Sequence, residues 1–461
     1  MKRLLENLTD YYHRRHLTET GAEKTHTLLI GFGIFMLLQD LLAENARRIS
    51  FLYNLIKYVD ETIPLLLLLF LVLSRFSHGK TIRRTPIDLP LTLFFLIALA
   101  SSIVTRVPTF IVISQEVIYL KAFFVYYLIS NLPVSRGIFR NYMKVFFWVG
   151  AAFFLFGVVD LFFPETFRKL TGNVLYIDYR GFIPSVKSFF IHPGVFGWFM
   201  SFLALYCFAY AIVLFKSEHF YSGVVFFLGC FLSMRARSIL GLIASLALGF
   251  IFVSGRKRLP AIMVLVPIVI IAFILLGPAI TDLFESKINI YFGAGSAEKV
   301  ARNALYVKSV DVALDYFPFG AGMGRYGSFL SKLYYSPVYE YYALSRIWGM
   351  SKENPLFITD TFWPMILGET GLLGLLLYLL ILLTFIRTQI SRIKTAAAPE
   401  VKAFHLGTLM IIISGMVESI ADPIFTSPPS AVFVLGAIGL STALSRITEE
   451  DFQLYRGPLS A

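Results

Sequence analysis

TDTFWPMILGETGLLGLLLYLLILLTFI, residues 359–386, changes character part-way along. It begins polar, with Asp360 between two threonines, and becomes an apolar run over 362–386 whose one charged side chain is Glu369. At 1.5 Å per residue such a run is long enough to cross a bilayer as a helix. A carboxylate carried from a polar loop into a membrane helix is expensive and as a rule faces a cavity, so this junction is the candidate active site. Working outward, the residues before it form the only extended polar region of the chain. It contains Ala301-Arg302-Asn303-Ala304-Leu305-Tyr306, then Tyr316-Phe317-Pro318-Phe319-Gly320-Ala321-Gly322-Met323-Gly324, then a tyrosine-rich segment.

The rest of the chain is almost unbroken apolar helix. With 461 residues, 57% hydrophobic and 15% charged, it is no ordinary soluble domain but a polytopic membrane protein of all-α class. The net charge of +12 is spread over short loops rather than gathered in one patch, which favours anionic lipid head groups and phosphate-bearing substrates and gives no nucleic-acid partner. Cys207 and Cys230 fall inside apolar spans, so no disulfide framework is implied. Residues 1–26 are mostly polar and no small-residue cleavage site follows the first span, so no signal peptide is expected. Leu4, Leu5, Leu8, Tyr12 and Leu17 among Lys2, Arg3, Arg14, Arg15 and Lys24 suit a basic amphipathic helix on a cytoplasmic membrane surface.

Apolar runs at 27–43, 55–74, 89–105, 111–131, 143–163, 194–215, 220–234, 237–254, 259–278, 362–386, 405–421 and 430–446 give about twelve spans in one membrane domain, 27–446. Lys and Arg crowd alternate short loops: Arg75, Lys80, Arg83, Arg84; Arg136, Arg140, Lys144; Arg256, Lys257, Arg258; Arg387, Arg392, Lys394, Lys402. That bias puts both termini in the cytoplasm, including the tail 447–461. The loops 164–193 and 281–361 are then extracytoplasmic, the larger lying between spans nine and ten.

On the outer side lie Arg180, the hairpin arginines Arg235 and Arg237, Arg302, and Arg325 after the glycines. Guanidinium forks at a membrane interface suit phosphate or pyrophosphate; snorkelling to lipid head groups is the plain alternative. Gly322-Met323-Gly324-Arg325-Tyr326-Gly327 spells GxGxxG, but the fingerprint needs a strand before it and a helix after it, so nucleotide binding is set aside in favour of backbone flexibility beside a substrate. No outer His, Cys and carboxylate cluster and no GxSxG occur, which leaves no metal, cofactor or serine nucleophile in the reading. Asp360 and Glu369 are the acids that partial burial would turn into useful bases. A helix cap is the rival reading of Asp360, and a buried structural acid that of Glu369. Within the membrane, Asp60 and Glu61 are expected to pair with Lys57. Tyr334, Tyr335, Tyr339, Tyr341 and Tyr342 suit either sugar stacking or an interfacial belt.

Arg237-Ser238, Arg302 ahead of Phe317-Pro318-Phe319-Gly320-Ala321-Gly322, and Glu369-Thr370-Gly371-Leu372-Leu373-Gly374, in this order across residues 175–380, resemble the O-antigen ligase and O-antigen polymerase superfamily. The resemblance implies a GT-C-like glycosyltransferase of the bacterial inner membrane that works without metal. Its partners would be an undecaprenyl-pyrophosphate-linked oligosaccharide, membrane lipids and a chain-length regulator. Arg237 and Arg302 would bind the donor pyrophosphate. Where the ligases of that superfamily have a histidine-asparagine pair, this chain has Asp360 and Thr361, which favours the polymerase branch. The expected function is polysaccharide polymerase, O-antigen or exopolysaccharide. The alternatives are an O-antigen ligase acting on lipid A-core and a non-enzymatic transporter or flippase of the same lipid-linked sugar.

Overall fold

The computed structural model describes residues 2–77, 81–180, 183–249, 300–396 and 398–446, with side chains from Glu23 onward except those of Ser74 and Arg180. The expected span 259–278, the end of 237–254, residues 281–299 and the tail 447–461 lie outside the described residues.

Helices occupy, in whole or part, every expected span within the described residues. They are α1 (Lys2–Ala46), α2 (Ser50–Lys57), α3 (Val59–Ser77), α4 (Asp88–Val104), α5 (Thr109–Asn131), α6 (Arg136–Phe162), α7 (Pro164–Leu170), α8 (Pro193–Leu214), α9 (Ser217–Leu232) and α10 (Ala236–Gly249). From residue 300 onward come α11 (Ala301–Asp315), α12 (Phe329–Leu333), α13 (Val338–Tyr341), α14 (Trp363–Thr395), α15 (Pro399–Glu418) and α16 (Ser430–Leu444). Among the described residues, 6 helices are long and apolar enough to cross a membrane: Glu23–Ala46 of α1, and α5, α6, α8, α14 and α15. Helices α4, α9, α10 and α16 are apolar but shorter. The protein is therefore an all-α membrane protein; its described strands are the two-residue β1 (Tyr179–Arg180) and β2 (Ile183–Pro184). No proline interrupts residues 2–46, and α1 runs unbroken from the polar N-terminal residues into the first span.

The bundle centres on α8, which packs against α9, α10 and α15, while α16 lies on α5 and α14 on α4. α8 is buried along most of its length, its neighbours covering a surface that is apolar on every face. Residues 300–361 form a separate cap with its own core of Leu305, Val312, Tyr326, Tyr339, Leu344 and Ile358. Tyr326 and Tyr339 are fully buried. The Tyr326 hydroxyl donates to the Leu305 carbonyl at 2.7 Å, and the Tyr339 hydroxyl accepts the Gly327 N–H at 2.8 Å. These two rings hold the cap together, so of the tyrosine-rich segment only exposed rings such as Tyr334 and Tyr341 are free to meet membrane or ligand.

The cap is fastened to the bundle at a break in α14. Gly371 has φ 64° and ψ −168°, a conformation open to glycine almost alone. A helix broken there takes the N–H groups one turn on out of line with the carbonyls of Gly368 and Glu369. Those carbonyls accept instead from the N–H groups of Ala321 at 2.8 Å and Gly322 at 3.1 Å, and the Ser101 hydroxyl of α4 adds 2.8 Å to the Glu369 carbonyl. The approach is backbone to backbone: a Cβ on Gly371 would lie 2.7 Å from the Gly320 nitrogen. Gly322, Gly324 and Gly327 all have positive φ within this docked loop. The glycines read from sequence as flexibility thus serve close packing.

One expected pair is replaced. Asp60 and Glu61 do not reach Lys57; both bind Lys121 of α5, Glu61 at 2.8 Å, with Gln39 of α1 donating to Asp60 at 3.1 Å. Two helices share these charges and a third adds a neutral donor, which satisfies more of their hydrogen-bonding capacity than a lone ion pair would. Lys57 points to the rings of Tyr53, Tyr58 and Phe329.

Gly371→Ala is expected to weaken the cap without preventing insertion. The backbone conformation alone would cost on the order of 1–3 kcal/mol, and the added Cβ meets the cap backbone. A lower melting temperature and new proteolytic cleavage within 316–327 are the readouts; unchanged values would remove the break from this role.

Candidate anion-binding site

Four charges from four chain segments meet at one end of the bundle. Arg237 sits in the first turn of α10, where its Nη2 pairs with Asp422 Oδ2 at 2.6 Å and its Nη1 donates to the Ala421 carbonyl at 3.0 Å. Asp422 lies in the turn between α15 and α16. Arg302 occupies the first turn of α11, and its Nη2 lies 3.4 Å from Asp360 Oδ2. Tyr306, one turn further on, donates to the Ile420 carbonyl at 2.9 Å and draws α11 onto the α15–α16 turn.

These groups are neither sealed in nor fully wet. The Arg237 and Arg302 side chains are 20% and 24% exposed, those of Asp422 and Asp360 30% and 36%. Burial pushes the Asp360 carboxyl above the usual 3.8, with Arg302 pulling it down and Asp422 pushing it up. Asp422 is raised by burial too, opposed by Arg237 and Arg302. The four groups therefore sense one another across the two pairs.

Around this core, Arg235 pairs with Asp178 at 2.9 Å, joining the α9–α10 turn to the loop 164–193. His192 closes the N-terminus of α8, its Nδ1 accepting the Gly194 N–H at 3.0 Å. A Cβ on Gly194 would strike Arg237 Nη2, so this helix start is kept narrow to admit the guanidinium. Below, buried Glu418 accepts from Ser238 at 2.8 Å and Ser414 at 3.2 Å, tying the start of α10 to the end of α15.

The residues singled out in the sequence divide as follows. Arg237, Arg302 and Asp360 converge, with Arg235 beside them. The side chain of Arg180 lies outside the described residues. Arg325 turns away, its Nη2 3.5 Å from the Arg106 carbonyl in the α4–α5 turn. Asp360 is no helix cap: α14 begins at Trp363, its N-cap is Phe362, and no side chain caps it. Glu369 is fully buried behind the break in α14, accepting from the Tyr119 hydroxyl at 3.1 Å and the Tyr326 N–H at 3.2 Å. It fastens the glycine loop to α5 and α14 rather than joining the charge cluster. Sequence reading missed Asp422. Its signal was topological, since the alternation of spans puts the turn 422–429 on the same side as Arg237 and Arg302.

No protein-family model matches this chain, and no curated protein matches it. What the site can do therefore rests on its geometry. Two guanidinium groups carried by separate helices, each paired among the described residues with a partly exposed carboxylate, make this cluster a candidate anion site.

Burial and the neighbouring Arg235 and Arg237 lower the His192 pKa to about 3. A base depressed when folded contributes stability that is complete above its unfolded value near 6.5 and is lost as pH falls from there towards 3. The His192 ring resonances are expected to stay constant between pH 8 and 5; a titration near 6.5 would contradict this placement.

Proposed function

We propose that this protein is a polysaccharide polymerase of the bacterial inner membrane, a metal-independent glycosyltransferase that moves a growing glycan from undecaprenyl pyrophosphate onto another lipid-linked repeat unit. The convergence of Arg237 and Arg302 on one polar cluster at the end of an apolar bundle carries the reading. It is joined by the resemblance to the O-antigen ligase and polymerase superfamily. In this reading the chain has twelve spans in a GT-C-like arrangement, both termini are cytoplasmic, and the cap faces outward. A chain-length regulator is a further partner. An O-antigen ligase and a non-enzymatic flippase of the same lipid are the competing assignments. A transporter's site is expected near the bilayer midplane between repeats, whereas this cluster lies at a helix-bundle end under a folded cap.

The mechanism is a displacement at the anomeric carbon. The donor pyrophosphate, carrying more charge than a carboxylate and matching the guanidinium forks, takes the places of Asp422 and Asp360 on Arg237 and Arg302. Asp360 is then released beside the acceptor hydroxyl. Losing its Arg302 partner raises its proton affinity further, which improves it as a base. The acceptor oxygen bonds to the anomeric carbon as its proton passes to Asp360. The bond from that carbon to the pyrophosphate oxygen breaks, and its electron pair leaves with undecaprenyl pyrophosphate. The two arginines stabilise the charge that develops there.

Arg237→Ala and Arg302→Ala are each expected to lower polymer formation by purified protein about a hundredfold, the loss of on the order of 3 kcal/mol of transition-state stabilisation. Lysine at either position should rescue poorly because it lacks the fork. Polymer near wild-type levels from both alanine variants would exclude the proposed role.

Asp360→Asn should abolish the rate while leaving lipid-pyrophosphate binding in place. In the wild type the rate should rise with pH through a value above 3.8, because the raised carboxyl must lose its proton to act. Asp422→Asn removes a neighbouring negative charge, so that acid limb should move to lower pH. An unmoved limb, or an active Asp360→Asn, would take Asp360 out of the chemistry.

A further inference from the structure

Three arginines from separate segments gather where α5 ends. This helix begins against the cap, where the ring centroids of Phe110 and Tyr334 lie 6.1 Å apart, and Asn131 closes it 21 positions later, about 32 Å away. Arg75, in the last turn of α3, donates from Nη2 to the Asn131 carbonyl at 2.6 Å and from Nη1 to the Thr81 carbonyl at 3.1 Å. Arg446, just past α16, donates from Nη1 to the Ser130 carbonyl at 2.6 Å. The backbone N–H of Arg83 donates to the Asn131 side-chain oxygen at 2.9 Å. Two adjacent residues, Ser130 and Asn131, thus bring the three together.

The charges here are accessible and uncompensated among the described residues. Arg75 and Arg446 are half-buried and Arg83 is exposed. Each is close enough to be repelled by the other two, and none is ion-paired with a described carboxylate. Asp88, at the start of α4, is taken up by the Thr85 N–H at 3.0 Å and the Tyr127 hydroxyl at 2.7 Å. A helix C-terminus supplies roughly half a negative charge, too little against three guanidinium groups. At the same end of the bundle Arg136 and Arg140 are balanced differently, sharing Glu400 at 3.3 Å each. The cluster at α5 has room for an anion from outside the chain.

Helix α3 indicates the kind of anion. Leu66, Leu69, Leu73 and Phe76 recur at spacings of three and four, so they share one helical face, and all four are exposed. That apolar face leads away from Arg75 for about 15 Å and, in a membrane protein, meets acyl chains. An anion that carries such chains is a lipid, and guanidinium forks between helix ends match its phosphate oxygens. We propose that Arg75, Arg83 and Arg446 bind the phosphate of one anionic glycerophospholipid, with an acyl chain along the exposed face of α3. In a zwitterionic lipid the phosphate comes with an ammonium that the arginines repel. This site is independent of the glycan reading and stands or falls without it.

The test uses the full chain, delipidated in mild detergent and titrated with dioleoyl phosphatidylglycerol, dioleoyl phosphatidylethanolamine, a polyprenyl phosphate and inorganic phosphate, read by native mass spectrometry and melting temperature. One phosphatidylglycerol should be retained per chain and raise the melting temperature, with phosphatidylethanolamine about tenfold weaker. Arg75→Gln and Arg446→Gln should each weaken retention about tenfold, the effect of one charge-assisted hydrogen bond. Those two side chains also hold the end of α5, so Arg83→Gln is the decisive variant: retention should fall while the lipid-free melting temperature stays. Arg136→Gln combined with Arg140→Gln removes charge from the same end of the bundle and should leave retention unchanged. An equal loss from that double variant would mean diffuse surface charge and overturn the site. Equal affinity for the two dioleoyl lipids, preferential retention of the polyprenyl phosphate, displacement by equimolar inorganic phosphate, or wild-type retention by Arg83→Gln would overturn it too. So would a preference that appears only after Glu449, Glu450 and Asp451 are neutralised, which would assign the arginines to acids of the chain itself.

Discussion

Inside a membrane every backbone N–H and C=O must find a partner within the protein, and the break in α14 at Gly371 is where this chain uses that rule. The carbonyls of Gly368 and Glu369, taken out of the helical ladder, are satisfied by the N–H groups of Ala321 and Gly322. The cap thus enters the membrane domain as a replacement for missing helix hydrogen bonds. Glu369 completes the joint by accepting from α5 and from the Tyr326 N–H. Once residues 316–327 are fixed, the cap core built on Tyr326 and Tyr339 fixes α11, and α11 carries Arg302 to Asp360.

The charge cluster depends on a second balance. Among the described residues Arg235, Arg237 and Arg302 are paired with the carboxylates of Asp178, Asp422 and Asp360, which offsets the cost of partly burying these charges. The contacts are partly exposed, and that between Arg302 and Asp360 is loose at 3.4 Å, which fits the proposed exchange of a carboxylate for a stronger anion. The intramembrane trio of Lys121, Asp60 and Glu61 is different in kind. Its Lys121 and Asp60 are deeply enclosed, it spans α3 and α5, and it is joined by Gln39 of α1, which suits a fixed cross-link between helices.

The two ends of the bundle also differ in what they gather. One collects His192, Arg237, Arg302, Asp360 and Asp422 beneath the cap. At the other, Arg136 and Arg140 share Glu400 at 3.3 Å each, and Arg75 and Arg446 donate to the carbonyls of Asn131 and Ser130. Each set unites loops that the alternation of spans assigns to one side. The sorting follows from the helices themselves, since a loop can reach only those emerging at its own end.

The sequence by itself determined the all-α membrane class, the helices in most of their extents, and Arg237, Arg302 and Asp360 as the residues to watch. These are readable because apolar length and isolated charge in an apolar chain are local properties. It also marked the glycines at 322–327, read as flexibility, and Gly371, but not their close packing, since positive φ is a local demand while the surface pressed against it belongs to another segment. Only the tertiary structure decided which charges meet. Asp422 joins Arg237 across 185 positions, Asp60 chooses Lys121 over nearby Lys57, and Asp360 turns to Arg302 instead of capping α14. A charge buried at a bundle end takes whichever partner the packing of helices brings within hydrogen-bonding distance, and that packing is set by contacts far apart in the chain.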